Sequence, residues 1–213
     1  MAGGLAALVI LRRLIAQRLA DRRLRRALRD APLWPLADLP EDVWARITGV
    51  ARPLDDRVLE APLSGRFCLY YSISIEELGP RGIAALASEQ EGLPFVLEDR
   101  GSRAVIDPAH ARISTAFDHR SESQAAFDAS PRQRALLERH GLVYRDWFST
   151  EKLRYAEAII EVDEAITVVG AGTREPDPDA PATGAYRDGR PTRIRLTGSA
   201  RYPLMISDDP RSI

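Results

Sequence analysis

Cysteine and histidine are scarce in this chain of 213 residues, which contains only Cys68, His110, His119 and His140 of these two types. A single cysteine excludes a disulfide within the chain. A structural zinc site needs four ligands in closely spaced pairs, and these four residues stand at unrelated spacings. The sequence therefore predicts no metal centre and no cofactor.

The chain also lacks an apolar run of the roughly 18 to 20 residues that a membrane-spanning helix requires. The apolar residues 1–11 would extend about 16 Å as a helix, roughly half of the hydrocarbon core. Arginines follow, among them Arg12, Arg13, Arg18, Arg22 and Arg23. Because apolar residues continue at helical spacing to Leu19, the pattern favours a basic amphipathic helix over residues 1–30. Residues 1–19 are predicted to lie on, or insert partly into, an anionic membrane surface.

Three other interpretations of this N-terminal segment stay open. It could be the remnant of a spanning anchor, a signal peptide, or a soluble amphipathic helix packed on the domain or on a partner. A signal peptide carries its positive charge before the apolar run, whereas here the charge follows it. If the segment binds the membrane, the positive-inside rule predicts that the rest of the chain lies on the cytoplasmic side; the alternative is a soluble cytoplasmic protein.

Proline and glycine divide the remaining chain. Three prolines in residues 31–40 are incompatible with a continuing helix, so residues 31–44 are predicted to form an extended proline-rich linker. Residues 45–213 are long enough for one domain with one core. Within that domain, proline, aspartate and glycine concentrate in residues 172–190 and predict a mobile loop.

The strongest strand signal is the period-two alternation of residues 67–76. It assigns one set of side chains to the core face: Phe67, Leu69, Tyr71, Ile73 and Ile75. Weaker patterns predict strands at residues 43–50, 94–99, 103–107, 153–161, 165–169, 192–197 and 203–207. Residues 100–102 (RGS) predict a tight hairpin turn between the second and third of these.

One helix is predicted inside the β region. Ser130 and Gln133 have the spacing of a capping box, and Pro131 stands at the first helical position. Gly141 ends the pattern after residue 140. Many short strands without βαβ order predict a mainly β fold with a basic N-terminal helix and one short inserted helix, arranged as an antiparallel, OB-like or partly open barrel.

An ordered series of short motifs carries a family resemblance. The motifs are ITGV at residues 47–50, APLSG at 61–65, CLYY at 68–71, PFVLED at 94–99, VIDP at 105–108, RYAE at 154–157, VVG at 168–170 and PLMISD at 203–208. Over about residues 45–209 this series resembles the GIDE, or beside-a-membrane (BAM), domain of membrane-anchored ubiquitin ligases, in a bacterial-type form.

In those ligases the domain is held between two transmembrane helices, is thought to contact substrates, and is followed by a RING that acts in ubiquitin transfer. A RING needs about eight Cys and His ligands for two zinc ions, and this chain has four such residues. The resemblance therefore implies a membrane-tethered, non-catalytic module that binds a protein partner. A component or degenerate relative of a ubiquitin-ligase-like system is the alternative.

The resemblance also supplies candidate binding positions. They are Cys68, Tyr70, Tyr71, Glu98, Asp99, Gly101, Asp107, Pro108 and Glu157. Cys68 in a strand is more typical of a packed thiol than of a nucleophile. The acids of the predicted hairpin could bind a divalent cation, although acids at hairpins more often cap turns.

An OB-like nucleic-acid-binding domain is a second alternative, since such barrels stack bases on aromatic side chains like those of Phe67, Tyr70 and Tyr71. The chain after residue 44 carries no basic stripe, so nucleic acid is not the expected partner.

Overall fold

The structure is a computed structural model that describes residues 26, 28–80, 82–115, 118–124, 128–142, 152–179, 192–199 and 201–209. The chain forms two compact units. Unit 1 contains the described residues up to 50, those of 97–114 and those from 165 onward; unit 2 contains those of 51–96 and 115–164. The sequence predicts one domain over residues 45–213. The division is not visible in the sequence because the chain leaves and re-enters both units.

The described residues form 13 strands and the helix α1 (Pro131–Arg139). The strands are β1 (Ala45–Pro53), β2 (Leu59–Glu60), β3 (Phe67–Gly79), β4 (Gly82–Gly92), β5 (Phe95–Asp99), β6 (Ser102–Asp107), β7 (Arg112–Ser114), β8 (His119–Gln124), β9 (Lys152–Glu161), β10 (Ala165–Gly170), β11 (Gly172–Pro176), β12 (Thr192–Thr197) and β13 (Met205–Ser207). The predicted mainly β fold is confirmed.

Unit 1 is built on a mixed, open sheet of eight strands in the order β11-β12-β6-β5-β1-β10-β13-β7. Two of its pairings, β12 with β6 and β13 with β7, are parallel. The predicted antiparallel arrangement is therefore wrong for this sheet. The parallel neighbours are far apart in sequence, and no local turn signal reports such pairings.

Unit 2 is built on an antiparallel sheet that curls into a half-barrel, in the order β2-β3-β9-β8 with β4 beside β3. Helix α1 covers one face of it, where Leu136 and Leu137 join a core cluster with Ile73, Ile75 and Tyr155. These apolar side chains alternate along β3 and β9, so their neighbours in sequence point to the other face.

Most of the predicted N-terminal helix lies outside the described residues. This applies to the five arginines Arg12, Arg13, Arg18, Arg22 and Arg23 and to the predicted membrane-contacting residues 1–19. The last residues of the segment, 28–30, are helical, and the buried Leu28 packs with Ala31 and Val169. Across the described ranges no helix is both long and apolar enough to cross a bilayer.

The proline-rich segment 31–44, which the sequence predicts to be an extended linker, contacts β1 of unit 1. Its Leu36 and Leu39 side chains are buried. The Trp34 N–H donates to the carbonyl of Arg46 in β1 at 2.9 Å, and the Arg46 N–H donates to the carbonyl of Pro32 at 2.8 Å. Proline fixes an extended backbone here, and the neighbouring strand uses that backbone as a hydrogen-bonding partner.

Local signals give the two best-predicted features. At α1, Ser130 Oγ accepts from the Gln133 N–H at 3.3 Å, Gln133 Oε1 accepts from the Ser130 N–H at 2.7 Å, and Gly141 ends the helix at φ +66°. Between β5 and β6, Arg100 and Gly101 both have positive φ, +48° and +85°. Left-handed backbone at both central residues is the type I′ turn that joins tight hairpins, so both predictions are confirmed.

The alternation of β3 changes phase near its start. In the pairing with β9 the register shifts between Cys68 and Tyr70, which leaves Leu69 as an extra residue, a β-bulge. As a result Phe67 is 66% exposed, although the period-two pattern assigns it to the core. Cys68 instead joins the core cluster that contains Tyr71, so the predicted face is correct from Tyr71 onward and wrong for Phe67.

Ion pairs anchor β11, at the place where the sequence predicts the start of a loop. β11 pairs with β12, and the nearly buried Arg193 side chain of β12 contacts Glu175 at 2.8 Å and Asp177 at 3.6 Å. Arg103 of β6 donates to Asp177 at 3.2 Å. The acidic residues of this segment make its composition typical of a loop. In the structure, arginines distant in sequence form ion pairs with them and hold the segment in place. Residues 180–190 of the predicted loop lie outside the described residues.

Candidate functional site

The predicted site residues separate into two groups. Cys68, Tyr70, Tyr71 and Glu157 lie in unit 2, on β3 and β9. The others, Glu98, Asp99, Gly101, Asp107 and Pro108, lie in unit 1, at the β5–β6 hairpin and the 3₁₀ turn that follows it. The nine residues are therefore divided between the two units, and each group is described by itself.

Glu157 joins two motifs that are far apart in sequence. Its side chain is fully buried, and its carboxylate accepts the N–H of Leu63 at 2.7 Å and the N–H of Ser64 at 2.9 Å. These residues belong to the turn at residues 61–65, which the Gly65 N–H closes by donating to the carbonyl of Ala61 at 2.8 Å. A buried carboxylate is stable only when hydrogen bonds satisfy it, and here it fixes the turn.

Cys68 is a buried thiol in the core of unit 2. Burial raises the pKa of its thiol to about 12, and the negative charges of Glu157, Glu161 and Glu91 act in the same direction. A thiolate is the nucleophilic form of cysteine, and this environment disfavours it.

We expect Cys68 to react with a thiol reagent at pH 8 at least about a thousandfold more slowly in the native chain than in the urea-unfolded chain. The reason is that a thiol with a pKa near 12 is ionised in only about one molecule in ten thousand at that pH. The measurement is the rate of iodoacetamide labelling of the two forms. Comparable rates would show an accessible, activated thiol and would reopen the nucleophile interpretation.

Tyr70 and Tyr71 are both buried, at 6% exposure. The Tyr70 hydroxyl donates to Gln90 Oε1 at 3.3 Å, and the Tyr71 hydroxyl donates to Glu91 at 2.9 Å. Burial first, and then the hydrogen bond to Glu91, raise the pKa of Tyr71 to about 12. Tyr71 belongs to the core cluster of unit 2, and at 6% exposure neither ring offers an exposed face to a ligand.

The unit 1 candidates make contacts typical of turns. Asp107 Oδ1 accepts from the Ala109 N–H at 3.0 Å and caps the 3₁₀ turn. Asp99 lies 4.0 Å from Arg100, and Glu98 lies 3.7 Å from Arg103. The hydrogen bond of Asp107 fixes the exit of the hairpin, and the two longer ion pairs contribute little.

A cavity of about 600 Å³ lies on the face of the unit 2 sheet opposite α1. Residues of three adjacent strands line it, and we call it the groove: Ser74, Glu76, Arg120, Ser121, Glu122, Arg154 and Ala156. None of them is among the nine predicted site residues.

Small side chains form the floor of the groove. Across the sheet, Ser74 of β3 lies opposite Ala156 of β9, and one step along the strands Ser72 lies opposite Ala158. Larger side chains at these positions would fill the space above the sheet. The volume of the groove follows from this choice of serine and alanine.

Charged side chains form the next row of the groove. Glu76 of β3 lies opposite Arg154 of β9, which lies opposite Glu122 of β8. The guanidinium of Arg154 is 3.3 Å from the Glu122 carboxylate and 3.8 Å from that of Glu76. All three side chains are partly exposed, and exposed ion pairs contribute about 1 kcal/mol or less. A charged group of a ligand can therefore replace one member of either pair at little cost.

With Arg120, the groove carries two cationic and two anionic side chains, so its formal charge is zero. It is therefore matched to a ligand of mixed charge. It does not provide the concentrated positive charge that phosphate backbones require.

The sequence does not reveal this surface, chiefly because β8 does not resemble a strand. Residues 119–124 (HRSESQ) contain no apolar side chain, and β4, at residues 82–92 (GIAALASEQEG), is rich in alanine and glutamate, which favour helices. The short strands β2, β7 and β11 were missed as well. The usable signal in β8 is the alternation of the long charged side chains of Arg120 and Glu122 with the short side chains of Ser121 and Ser123, which matches its alternation of exposure.

Comparison of the chain with protein-family models, with curated proteins and with solved structures gives no significant match. The resemblance to the GIDE domain therefore stays a prediction.

Proposed function

We propose that this chain is a membrane-tethered, non-catalytic protein-binding module, related to the GIDE domain, whose groove receives part of a partner protein. Within this proposal unit 2 is the OB-like, partly open barrel that the sequence predicts, and its curled antiparallel sheet supports that view. The apolar and basic residues 1–30 supply the tether and place the β units on the cytoplasmic side.

One observation carries the proposal: the groove is open, has a small-residue floor and is bordered by charges of both signs. Small-molecule sites are enclosed and mostly apolar, with a few polar groups. Polypeptides, in contrast, present both charges and backbone groups along an extended surface. A protein partner is therefore the class of ligand that this surface fits best.

The nucleic-acid alternative gains no support from the groove. Of the three aromatic candidates, Tyr70 and Tyr71 are buried and Phe67 alone is exposed, at 66%, and the groove has no net positive charge. Affinity for single strands comes from stacking on several aromatic rings and from phosphate contacts, and one exposed ring and a neutral groove supply little of either.

The test is photo-crosslinking in native membranes. A photoreactive amino acid at position 122, on the border of the groove, is expected to give one discrete protein adduct, whereas the same amino acid at position 138, exposed on α1, is expected to give none. The adduct should sediment with the membranes. High salt should release it if residues 1–19 lie on the membrane surface, whereas an inserted anchor would resist both high salt and alkaline carbonate.

A matched control removes residues 1–25 and leaves the buried Leu28 in place. This variant should lose membrane association and keep the groove. Equal adducts from positions 122 and 138 would contradict the protein-binding role. A full-length chain that stays soluble in a low-salt lysate would contradict the tether.

A further inference from the structure

Among the strands formed by the described residues, β8 is the last in the order of the unit 2 sheet. β8 pairs with β9 over its whole length, from His119 opposite Glu157 to Gln124 opposite Lys152, with no shift of register. A terminal strand directs backbone N–H and C=O groups away from the sheet, and such an edge can accept another strand.

The two faces of β8 differ in chemistry. On the α1 side, Ser121 Oγ accepts from Gln133 Nε2 at 3.0 Å, and Ser123 Oγ lies 3.1 Å from the hydroxyl of Tyr155. These contacts fix the orientation of the strand. Every second side chain, including Arg120 and Glu122, is therefore exposed on the groove side.

Arg120 and Glu122 lie two residues apart on one face, about 6.7 Å along the strand. In an added strand, side chains directly opposite them would lie close enough to interact, with opposite charges stabilising and like charges destabilising. Glu122 is oriented from behind by Arg154. The edge thus favours an acidic residue opposite Arg120 and a basic residue opposite Glu122.

We propose that β8 recruits an extended segment of the partner protein as an additional strand, selected by an acidic and a basic side chain two positions apart that face the groove. This inference rests on the proposed function and specifies how the partner is recognised. The strand supplies affinity through backbone hydrogen bonds, and the alternating charges supply selectivity.

The probes are four fluorescent peptides of about eight residues, rich in valine and threonine, with capped ends. Their central residues are Lys-x-Asp, Asp-x-Lys, Lys-x-Lys or Asp-x-Asp, the first two covering the two strand directions. In fluorescence anisotropy with the full chain, one mixed-charge peptide is expected to bind about threefold or more tightly than both like-charge peptides. The backbone nitrogens of this peptide can be methylated at odd or at even positions. Methylation of the set that donates hydrogen bonds to β8 should abolish binding, and methylation of the other set should leave the affinity unchanged.

The Arg120→Glu variant gives the sharper result. With glutamate at both positions, the preference should shift to the Lys-x-Lys peptide, a gain that loss of structure cannot imitate. Arg134→Glu, at an exposed position of α1, is the matched control and should leave the ranking unchanged. Equal affinities for all four peptides, or an unchanged ranking in Arg120→Glu, would overturn the inference. Failure of all four peptides to bind would also overturn it, because it would show that another segment of this chain covers β8.

The two proposals fail in different ways. A groove-specific protein adduct that is insensitive to Arg120→Glu and to excess mixed-charge peptide overturns strand addition and leaves the protein-binding function intact. Absence of any protein adduct, with the peptide ranking as expected, overturns the proposed function and keeps the recognition chemistry of β8.

Discussion

Replacing Leu69 by aspartate is expected to abolish cooperative unfolding of the chain. Leu69 is fully buried at the β-bulge of β3, and its carbonyl accepts the Leu93 N–H at 3.0 Å. A carboxylate at this position would be buried without a partner, at a cost on the order of 4 kcal/mol or more, which is a large part of the stability of a typical domain. Urea denaturation followed by circular dichroism measures the effect.

Phe67→Asp is the matched control, because the period-two pattern of the sequence places Phe67 and Leu69 on the same face. In the structure Phe67 is exposed, so this variant should change the free energy of unfolding by less than about 1 kcal/mol. Similar losses from both substitutions would show that the bulge is absent and that the uninterrupted alternation is correct.

Glu157→Ala is expected to lower the free energy of unfolding by roughly 3 kcal/mol. The substitution leaves the N–H groups of Leu63 and Ser64 without their acceptor, and each lost partner of a buried donor costs about 1 to 3 kcal/mol. Glu157→Gln keeps one acceptor oxygen and should lose about half as much. The shift of the urea midpoint at constant slope measures both.

Glu122→Gln serves as the control for removing a carboxylate from the same sheet. Its side chain is 47% exposed and paired with Arg154, so its replacement should cost less than about 1 kcal/mol. If Glu157→Ala were no more destabilising than Glu122→Gln, the carboxylate of Glu157 would not be holding the turn at residues 61–65, and a ligand-binding role would need to be considered for it.

The features predicted correctly are those whose signals are local. The capping box at Ser130 fixes the start of α1, and the Arg100-Gly101 pair fixes a two-residue turn, because both depend on backbone geometry within four residues. The alternation of β3 is equally local, and it failed only at the bulge. A bulge changes the phase without changing the composition, so the residues around Leu69 do not reveal it.

The candidate site could not be predicted in the same way. Arg120, Arg154 and Glu76 are 34 or more positions apart in sequence, and only the pairing of β3, β9 and β8 places them on one surface. The motif residues that carried the family resemblance were prominent for another reason. Glu157, Asp107 and Gly101 fix turns, and turns impose strict requirements on residue type.

The sequence by itself determined the mainly β composition, the helix at Pro131–Arg139, the tight hairpin and the scarcity of zinc ligands, because each depends on neighbouring residues or on simple counts. Tertiary structure alone decided the two units, the parallel pairings, the exposure of Phe67 and the groove. These features arise from strands that meet after long intervening segments. The free energy of such pairings depends on which side chains become neighbours across the sheet, and no local pattern contains that information.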